Sequence, residues 1–176
     1  MKKGFTIVEL LVSIGIVALL SAVMLTYSRT GERQIIIFKE QAKIIGVLSR
    51  AKSLSIAAFG DTGTNVPCGW GVHFDSLGMI MTVFKDLPSD LNMGCLSANN
   101  IYDGSSDEKF EEIKLDNKAI KFGELQLSDI IFIPPDPLII IDNNLSKTEA
   151  LIKIKTIDDQ SERIIKITNA GQITSQ

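Results

Sequence analysis

The chain has 176 residues, of which 45% are hydrophobic and 22% are charged, and its formal net charge is −3. These values are ordinary for a folded protein of about one domain and exclude a disordered chain. The absence of a basic excess argues against nucleic acid as the default partner. The apolar residues are unevenly distributed, however, and they concentrate near the N-terminus.

The first predicted element is the apolar segment of residues 5–27, which contains one charge, Glu9, and no proline. As a helix it would be about 35 Å long, close to the roughly 30 Å hydrocarbon core of a bilayer, so it predicts a transmembrane helix. A secretory signal has a shorter apolar region and is cut beyond it. Here the short basic leader, residues 1–4, precedes the apolar segment. A cut after Gly4 would therefore keep the helix in the mature chain.

The sequence Lys2–Val12 resembles the prepilin-type cleavage and methylation motif of type IV pilins, type II secretion pseudopilins and competence pseudopilins. It has the glycine, the following phenylalanine and a carboxylate four residues later, at the head of an apolar run. The resemblance implies cleavage between Gly4 and Phe5 by a membrane-embedded prepilin peptidase, followed by N-methylation of the Phe5 amine. Other enzymes would perform both reactions, with this chain as their substrate.

Glu9 is isolated, because no Lys or Arg occurs elsewhere in the apolar segment. A charged side chain within a membrane helix costs about 2.5–3.5 kcal/mol on insertion scales and usually has a partner. The nearest cation would be the new amine of Phe5, in the same chain or on a neighbouring subunit. In pilin-like families this carboxylate is held to pair with the amine of the adjacent subunit during assembly. The alternative is a carboxylate that becomes protonated or extends to the lipid headgroups.

The helical pattern continues beyond residue 27 to about Phe59, with Gly60 as a stop signal. Many major pilins carry a helix-bending proline near the end of the apolar segment, but this chain has no proline before Pro67. One apolar stripe with steps of three and four residues predicts packing of this part on a sheet. Its members are Phe38, Ala42, Ile45, Leu48, Ala51, Leu54 and Ala58.

Strand patterns follow from Trp70 onward. Trp70–Phe74 and Met79–Phe84 flank the turn sequence Asp75–Gly78, which predicts a hairpin. Isoleucines nearly alternate with lysines in the last two predicted strands, which residues 158–161 join as a second hairpin. The further predicted strands are Ala119–Phe122, Asp129–Ile133, Leu138–Ile141, Ala150–Ile157 and Arg163–Thr168.

The predicted fold class is α+β and pilin-like: a long N-terminal helix, half transmembrane and half amphipathic, packed on a C-terminal antiparallel β head. The predicted divisions are the leader 1–4, the transmembrane part 5–27, the amphipathic part 28–59 and the head 60–176. Among pilin-like proteins the head resembles GspH/FimT-type minor pseudopilins. The resemblance rests on the sequence Cys68–Val72 after the helix and on the final strand pair that ends near Ile173.

Cys68 and Cys95 are the only cysteines of the chain, and both lie outside the apolar segment. In an oxidising compartment such a pair commonly forms a disulfide. Closing a loop of about 28 residues would contribute about 3–4 kcal/mol in the chain-entropy model. Two buried free thiols are the alternative. With His73 as the sole histidine, these residues do not complete a four-ligand zinc site, and we expect no metal and no cofactor.

No candidate catalytic site emerges from the remaining residues, and we expect no enzymatic activity. His73 is expected to be structural, since no Cys–His nucleophile signature accompanies it. The acidic segment Asp103–Glu108 lacks EF-hand spacing and is expected to be a surface loop; the alternative, which the resemblance to pseudopilins suggests, is a calcium site. A modest basic face on the last hairpin is flanked by acids, and residues 169–176 contain no Lys or Arg, so DNA is not the expected partner. That face would consist of Lys153, Lys155, Arg163 and Lys166.

The resemblance implies a filament subunit, a minor pilin or pseudopilin, that is assembled into a type IV pilus or a type II secretion pseudopilus. Its partners would be other pilin or pseudopilin subunits, the prepilin peptidase, an inner-membrane assembly platform and, before assembly, membrane lipid. It would cross the inner membrane once with its head outside the cytoplasm, and would later lie in the pilus or pseudopilus. The alternative is a pilin-like binding subunit for DNA uptake or adhesion.

Overall fold

The computed structural model describes most of the chain as two compact units, Met1–Ile36 and Ile37–Gln176. One helix, α1 (Ile7–Ala58), contributes to both units. The described residues are 6–60, 66–116, 118–135 and 138–176, with the side chains of residues 25–30 left out of the description.

Helix α1 contains 52 residues and confirms the predicted long N-terminal helix. It ends just before Gly60, whose φ of +90° is a conformation that residues with a Cβ rarely adopt. Glycine in this position is the usual way for a helix to end. The predicted start at Phe5 lies outside the described residues.

The second unit contains two antiparallel sheets, which confirm the predicted α+β class. The first has the strand order β3-β2-β1-β5-β6, and the second has the order β4-β7-β8-β9. The strands of the described residues are β1 (Gly69–Asp75), β2 (Ile80–Asp86), β3 (Lys109–Lys114), β4 (Ile120–Phe122), β5 (Asp129–Ile133), β6 (Leu138–Ile141), β7 (Glu149–Thr156), β8 (Glu162–Thr168) and β9 (Ile173–Ser175).

Both predicted hairpins are confirmed. In the β1–β2 hairpin the turn is held by Asp75, whose Oδ1 accepts hydrogen bonds from the backbone N–H groups of Leu77 (3.0 Å) and Gly78 (3.1 Å). In the β7–β8 hairpin, Ile152 pairs with Ile165, and both side chains are fully buried. The alternation of isoleucine and lysine therefore places Ile152, Ile154, Ile165 and Ile167 in the core, whereas Ile157, which follows the end of β7, is 49% exposed.

Two strands were not predicted. Strand β3 has four charged residues among its six, a pattern typical of an exposed loop, yet it pairs with β2 along the edge of the first sheet. Charged edge strands are common because charge hinders pairing with other chains. Strand β9 lies within the C-terminal residues 169–176, where only three residues pair with β8.

The buried face of the helix in the second unit differs from the predicted apolar stripe. Leu48 and Ala51 are fully buried as predicted, but Phe38 is 48% exposed and Ala42 is also exposed. The prediction was wrong there because the buried face contains polar side chains that hydrophobic periodicity does not detect. The buried residues of this face are Ile37, Glu40, Gln41, Ile44, Val47, Leu48, Ala51 and Ser55.

Polar bonds attach this helix to the sheets. Glu40 is 1% exposed, and its Oε2 accepts hydrogen bonds from Lys43 Nζ (2.8 Å) and from the backbone N–H of Asp116 (3.3 Å). Near the helix end, the buried Ser55 hydroxyl donates to the carbonyl of Phe132 in β5 (2.7 Å). These bonds satisfy polar groups that would otherwise be costly to bury.

Candidate functional site

The first turn of α1 is set by Thr6 and Glu9. The Thr6 side-chain oxygen accepts a hydrogen bond from the backbone N–H of Glu9 (3.3 Å), and the Thr6 carbonyl accepts one from Leu10 (3.2 Å). Thr6 is thus the N-cap residue, and Glu9 stands three residues later, as in a capping box. A carboxylate in the first turn also interacts favourably with the helix dipole. Thr6 therefore caps the helix through the backbone N–H of Glu9, a bond that any residue except proline could make at position 9.

The segment Ile7–Met24 exposes an apolar surface along its whole length. Its mean hydropathy is 2.5 over 18 residues, and its large hydrophobic side chains are 55–81% exposed. Its serines bond within the helix, since Ser13 and Ser21 donate to the carbonyls of Glu9 and Val17 (both 2.8 Å). A lipid environment requires that polar groups be satisfied internally. The helix is long and apolar enough to span a membrane, in agreement with the predicted anchor.

Glu9 is the only ionisable residue between Ile7 and Met24. Across the described parts of the chain, no Lys, Arg or His forms an ion pair with its carboxylate. An ionised carboxylate among lipid-facing side chains requires a cation or a proton. The predicted processing residues Gly4 and Phe5 lie outside the described residues.

Cys68 and Cys95 are joined by a disulfide, with their Cα atoms 5.2 Å apart and a sequence separation of 27 residues. Cys68 directly precedes β1, and its backbone N–H donates to the carbonyl of Asp86 at the end of β2 (2.8 Å). Cys95 lies in the short 3-10 helix Gly94–Ser97. The bridge therefore attaches the loop that follows β2 to the start of β1.

His73 is paired with Asp129, its cross-strand partner between β1 and β5. The distance from His73 Nδ1 to Asp129 Oδ1 is 2.9 Å. This hydrogen bond raises the pKa of His73 above its usual value, against the opposing effect of burial. The Tyr102 ring lies beside the imidazole, with the ring centroids 5.3 Å apart. These contacts connect His73 on β1 to β5 and to the loop that contains Tyr102.

A pair of buried carboxylates, Asp86 and Glu108, was not found from the sequence. They are 1% and 5% exposed, so the prediction of a surface loop at Asp103–Glu108 was wrong for Glu108. Asp86 Oδ2 accepts a hydrogen bond from the backbone N–H of Asn100 (3.2 Å), and Glu108 Oε2 accepts one from Asp103 (3.1 Å). The two side chains thereby hold the backbone of the loop between β2 and β3.

Burial is the main reason why both carboxyl groups titrate abnormally. It raises the pKa of Asp86 to about 6, with the nearby charges of Glu108 and Asp103 adding to the effect, and it also raises the pKa of Glu108. The described residues contain no group of three or more His, Cys, Asp or Glu side chains arranged to hold a metal ion. The sequence offers no signal for this pair, since Asp86 resembles any acidic residue at the end of a strand.

The basic residues predicted on the last hairpin all have partners. Lys153 and Lys155 both pair with Glu162, at 3.4 and 3.1 Å, and Lys166 pairs with Glu149 at 2.5 Å. The fourth, Arg163, stacks its guanidinium group on the Phe38 ring at 4.0 Å from the centroid. The strand face is therefore a network of opposite charges.

Residues 1–25 match the family described as the prokaryotic N-terminal methylation motif. A similar solved structure is that of the minor pseudopilin EpsH from the type 2 secretion system of Vibrio cholerae. It shares 10% sequence identity with this chain, the alignment covers 80% of this chain and 95% of that one, and the TM-score is 0.44. No curated protein sequence matches the chain significantly.

The family match includes Gly4, Phe5 and Glu9, the three residues on which the sequence-based recognition depended. It also covers the exposed apolar segment Ile7–Met24 of α1. The predicted methylation motif is thus confirmed: the chain carries the prokaryotic N-terminal methylation motif at residues 1–25.

Proposed function

We propose that this chain is a filament subunit, a minor pilin or pseudopilin, assembled into a type IV pilus or a type II secretion pseudopilus. One observation carries the proposal: the methylation motif coincides with a helix whose apolar side chains are exposed throughout Ile7–Met24. A surface of this kind needs lipid or other apolar helices around it. A filament subunit would be surrounded by lipid while it is in the membrane, and by the apolar helices of its neighbours once it is in the filament.

Maturation would begin with cleavage between Gly4 and Phe5 by a prepilin peptidase, which leaves the apolar helix in the product. The Phe5 amine would then be methylated. The leader would comprise residues 1–4, the transmembrane part residues 5–27, the amphipathic part residues 28–59 and the head residues 60–176. The chain would be a substrate in these reactions and would have no enzymatic activity of its own.

Glu9 would act in assembly through its charge. Its carboxylate lies in the first turn of the helix and has no cation partner among the described residues, whereas cleavage after Gly4 creates an amine four residues before it. An amine on an adjacent subunit would remove the cost of two isolated charges in an apolar environment. The pairing would also fix the axial register of neighbouring helices.

The chain would therefore cross the inner membrane once, with its head outside the cytoplasm, before it joins the filament. Its partners would be the prepilin peptidase, an inner-membrane assembly platform, other pilin or pseudopilin subunits and membrane lipid. A disulfide between Cys68 and Cys95 is consistent with an oxidising compartment for the head.

The mature N-terminus tests this proposal. Intact-mass analysis and N-terminal sequencing of the native protein should find N-methylphenylalanine at position 5, with residues 1–4 absent and the apolar helix retained. A native chain that begins at Met1, or that has lost the segment through Tyr27, would contradict the proposal. Gly4→Glu should leave the leader attached. The control Gly15→Ala should be processed normally, since a Cβ at Gly15 meets no atom within 4 Å.

A further inference from the structure

The turn between β6 and β7 contains the sequence Asn144-Leu145-Ser146. An asparagine followed by any residue except proline and then by serine or threonine is the acceptor sequence for N-linked glycosylation. No other asparagine of the 176 residues is followed in this way. The fold places this single acceptor sequence at the surface, since Asn144, Leu145 and Ser146 are all exposed, with Leu145 at 76%.

The side chain of Asn144 is held in a defined orientation. Its Oδ1 accepts a hydrogen bond from the backbone N–H of Ser146 (2.9 Å), which is the Asx-turn geometry. This bond fixes the carboxamide through its oxygen. Within the described part of the chain, the Nδ2 atom makes no hydrogen bond, so the nucleophilic end of the carboxamide is open to an approaching enzyme.

The turn itself is anchored on both sides of Asn144. Asp142 Oδ1 accepts hydrogen bonds from the backbone N–H groups of Ser128 (2.7 Å) and Asp129 (3.0 Å), and its Oδ2 pairs with Lys147 Nζ (2.8 Å). The backbone N–H of Asn144 donates to the carbonyl of Ile141 (2.9 Å). These bonds hold the backbone of the turn that contains the acceptor sequence. None of them involves the Nδ2 atom of Asn144.

The backbone conformation does not account for an asparagine at position 144. In this turn Asp142 and Asn143 have φ values of 52° and 51°, a region in which Asp and Asn are favoured over most residues. Asn144 is not among the residues of positive φ. Its side chain does make a specific contact, the bond from the backbone N–H of Ser146.

We propose that Asn144 is an acceptor site for N-linked glycosylation by an oligosaccharyltransferase whose donor is a lipid-pyrophosphate-linked oligosaccharide. The bond between the anomeric carbon and the pyrophosphate oxygen breaks, and a bond between that carbon and Nδ2 forms. The carboxamide gives up one proton to a base, the lipid pyrophosphate departs, and no atom changes oxidation state. The site rests on the proposed function only in that the head must meet the donor outside the cytoplasm.

The experiment uses the purified full chain in detergent, a purified bacterial oligosaccharyltransferase and its lipid-linked oligosaccharide. After digestion with trypsin, the peptide of residues 122–147 should gain the mass of one oligosaccharide, and fragmentation should place it on Asn144. Asn144→Gln and Ser146→Ala should lose the gain completely, whereas Ser146→Thr should retain it. The matched control Asn143→Gln should also retain it.

An unmodified wild-type chain, or a mass gain that persists in Asn144→Gln, would overturn the proposal. Fluorescence of the single tryptophan, Trp70, should show that every variant is folded at the assay temperature, because the altered residues are exposed. A small decrease in the thermal midpoint is expected for Asn143→Gln, which places glutamine at a φ of 51°, and for Asn144→Gln, which loses the bond from Ser146. The assay supplies enzyme and donor directly. Its failure is therefore independent of the proposed filament function, which the mature N-terminus tests separately.

Discussion

At the scale of single residues, two acidic side chains occupy environments in which a charge is costly. Glu9 lies in an apolar helical segment whose side chains face outward, and Asp86 is 1% exposed at the end of β2. The loop around Asp86 supplies a backbone hydrogen bond from Asn100. Glu9 has no cation partner among the described residues, so the proposed partner is the amine of another subunit.

Changing Glu9 to alanine should leave membrane insertion intact and impair filament assembly. Insertion depends on the hydropathy of the segment, which alanine preserves. Loss of the carboxylate leaves a neighbouring amine unpaired, and breaking a buried ion pair costs about 3–5 kcal/mol, so incorporation should fall at least about tenfold. Membrane fractionation and the amount of subunit in sheared filaments provide the two measurements.

Glu9→Gln separates charge from size in the same experiment. It keeps the shape and a hydrogen-bonding group but removes the negative charge, so it should assemble as poorly as Glu9→Ala. Normal incorporation of either variant would mean that pairing with an amine is not required for assembly.

Asp86 should make the stability of the second unit depend on pH. Its folded pKa of about 6 lies above the ordinary 3.8, so the folded chain retains a proton that the unfolded chain loses. The resulting stabilisation is present below about pH 4 and is lost as the pH rises to about 6. Asp86→Asn remains neutral throughout. As the pH rises from 4 to 7, the free energy of unfolding of the wild type should therefore fall by about 2–3 kcal/mol more than that of Asp86→Asn.

Urea unfolding at a series of pH values, followed by Trp70 fluorescence, measures this difference. The control is Asp107→Asn, an exposed acid next to Glu108, which should show the same pH dependence as the wild type. Parallel curves for Asp86→Asn and the wild type would show that Asp86 is ionised in the folded chain at pH 4–6.

At the scale of elements, strand β1 depends on a close approach at Gly71. This residue is the cross-strand partner of Phe84 in β2, and Phe84 is fully buried against Ile131 and Ile140. A Cβ at position 71 would lie 2.4 Å from the Phe84 ring and 2.7 Å from the carbonyl oxygen of Ile130. Since these distances are far below van der Waals contact, the packing of β1 on its neighbours requires glycine.

Gly71→Ala should therefore destabilise the second unit. Both the buried ring and the backbone would have to move, and overpacking of this kind costs about 1–3 kcal/mol, occasionally more. The urea midpoint of the full chain in detergent, followed by Trp70 fluorescence, measures the loss. The matched control is Gly46→Ala in α1, where a Cβ meets nothing within 4 Å and alanine should add up to about 1 kcal/mol. A midpoint for Gly71→Ala at or above that of the wild type would contradict the packing argument.

At the scale of the whole molecule, apolar surface and charge are arranged differently in the two units. The first unit exposes apolar side chains throughout Ile7–Met24. In the second unit, the lysines of the last hairpin are paired with glutamates, and the net charge of the chain is −3. This arrangement favours an anchored subunit that associates through its helix over one that attracts polyanions through its head.

The chain should accordingly show no salt-sensitive binding to DNA. Fluorescence anisotropy of a labelled duplex, titrated with the full chain in detergent, should show no complex at micromolar protein and about 0.15 M salt. A variant in which Glu149 and Glu162 are changed to glutamine would release the paired lysines and should bind more tightly. Wild-type affinity that falls steeply as salt rises would instead favour the alternative function in DNA uptake.

Local patterns in the sequence determined the parts of this protein that depend on chain chemistry alone. Three such patterns each lie within a short stretch of the chain: the motif residues Gly4, Phe5 and Glu9, the apolar run that follows them, and the isoleucine–lysine alternation of β7 and β8. The length of the apolar run and the two-residue period of the strands can be read without knowing any distant contact. The apolar N-terminal segment, the long helix and both hairpins were therefore predictable.

Tertiary structure decided what depends on residues far apart in the chain. Glu40 belongs to the buried face of α1 only because Lys43 and the backbone of Asp116 satisfy it, and β3 is a strand only because β2 offers an edge. Asp86 is buried because the loop that follows β2 folds back over it, and the backbone N–H of Asn100, 14 residues later, donates to its carboxylate. Since burial of a polar group becomes affordable only once its partners are in place, no local pattern reveals these positions.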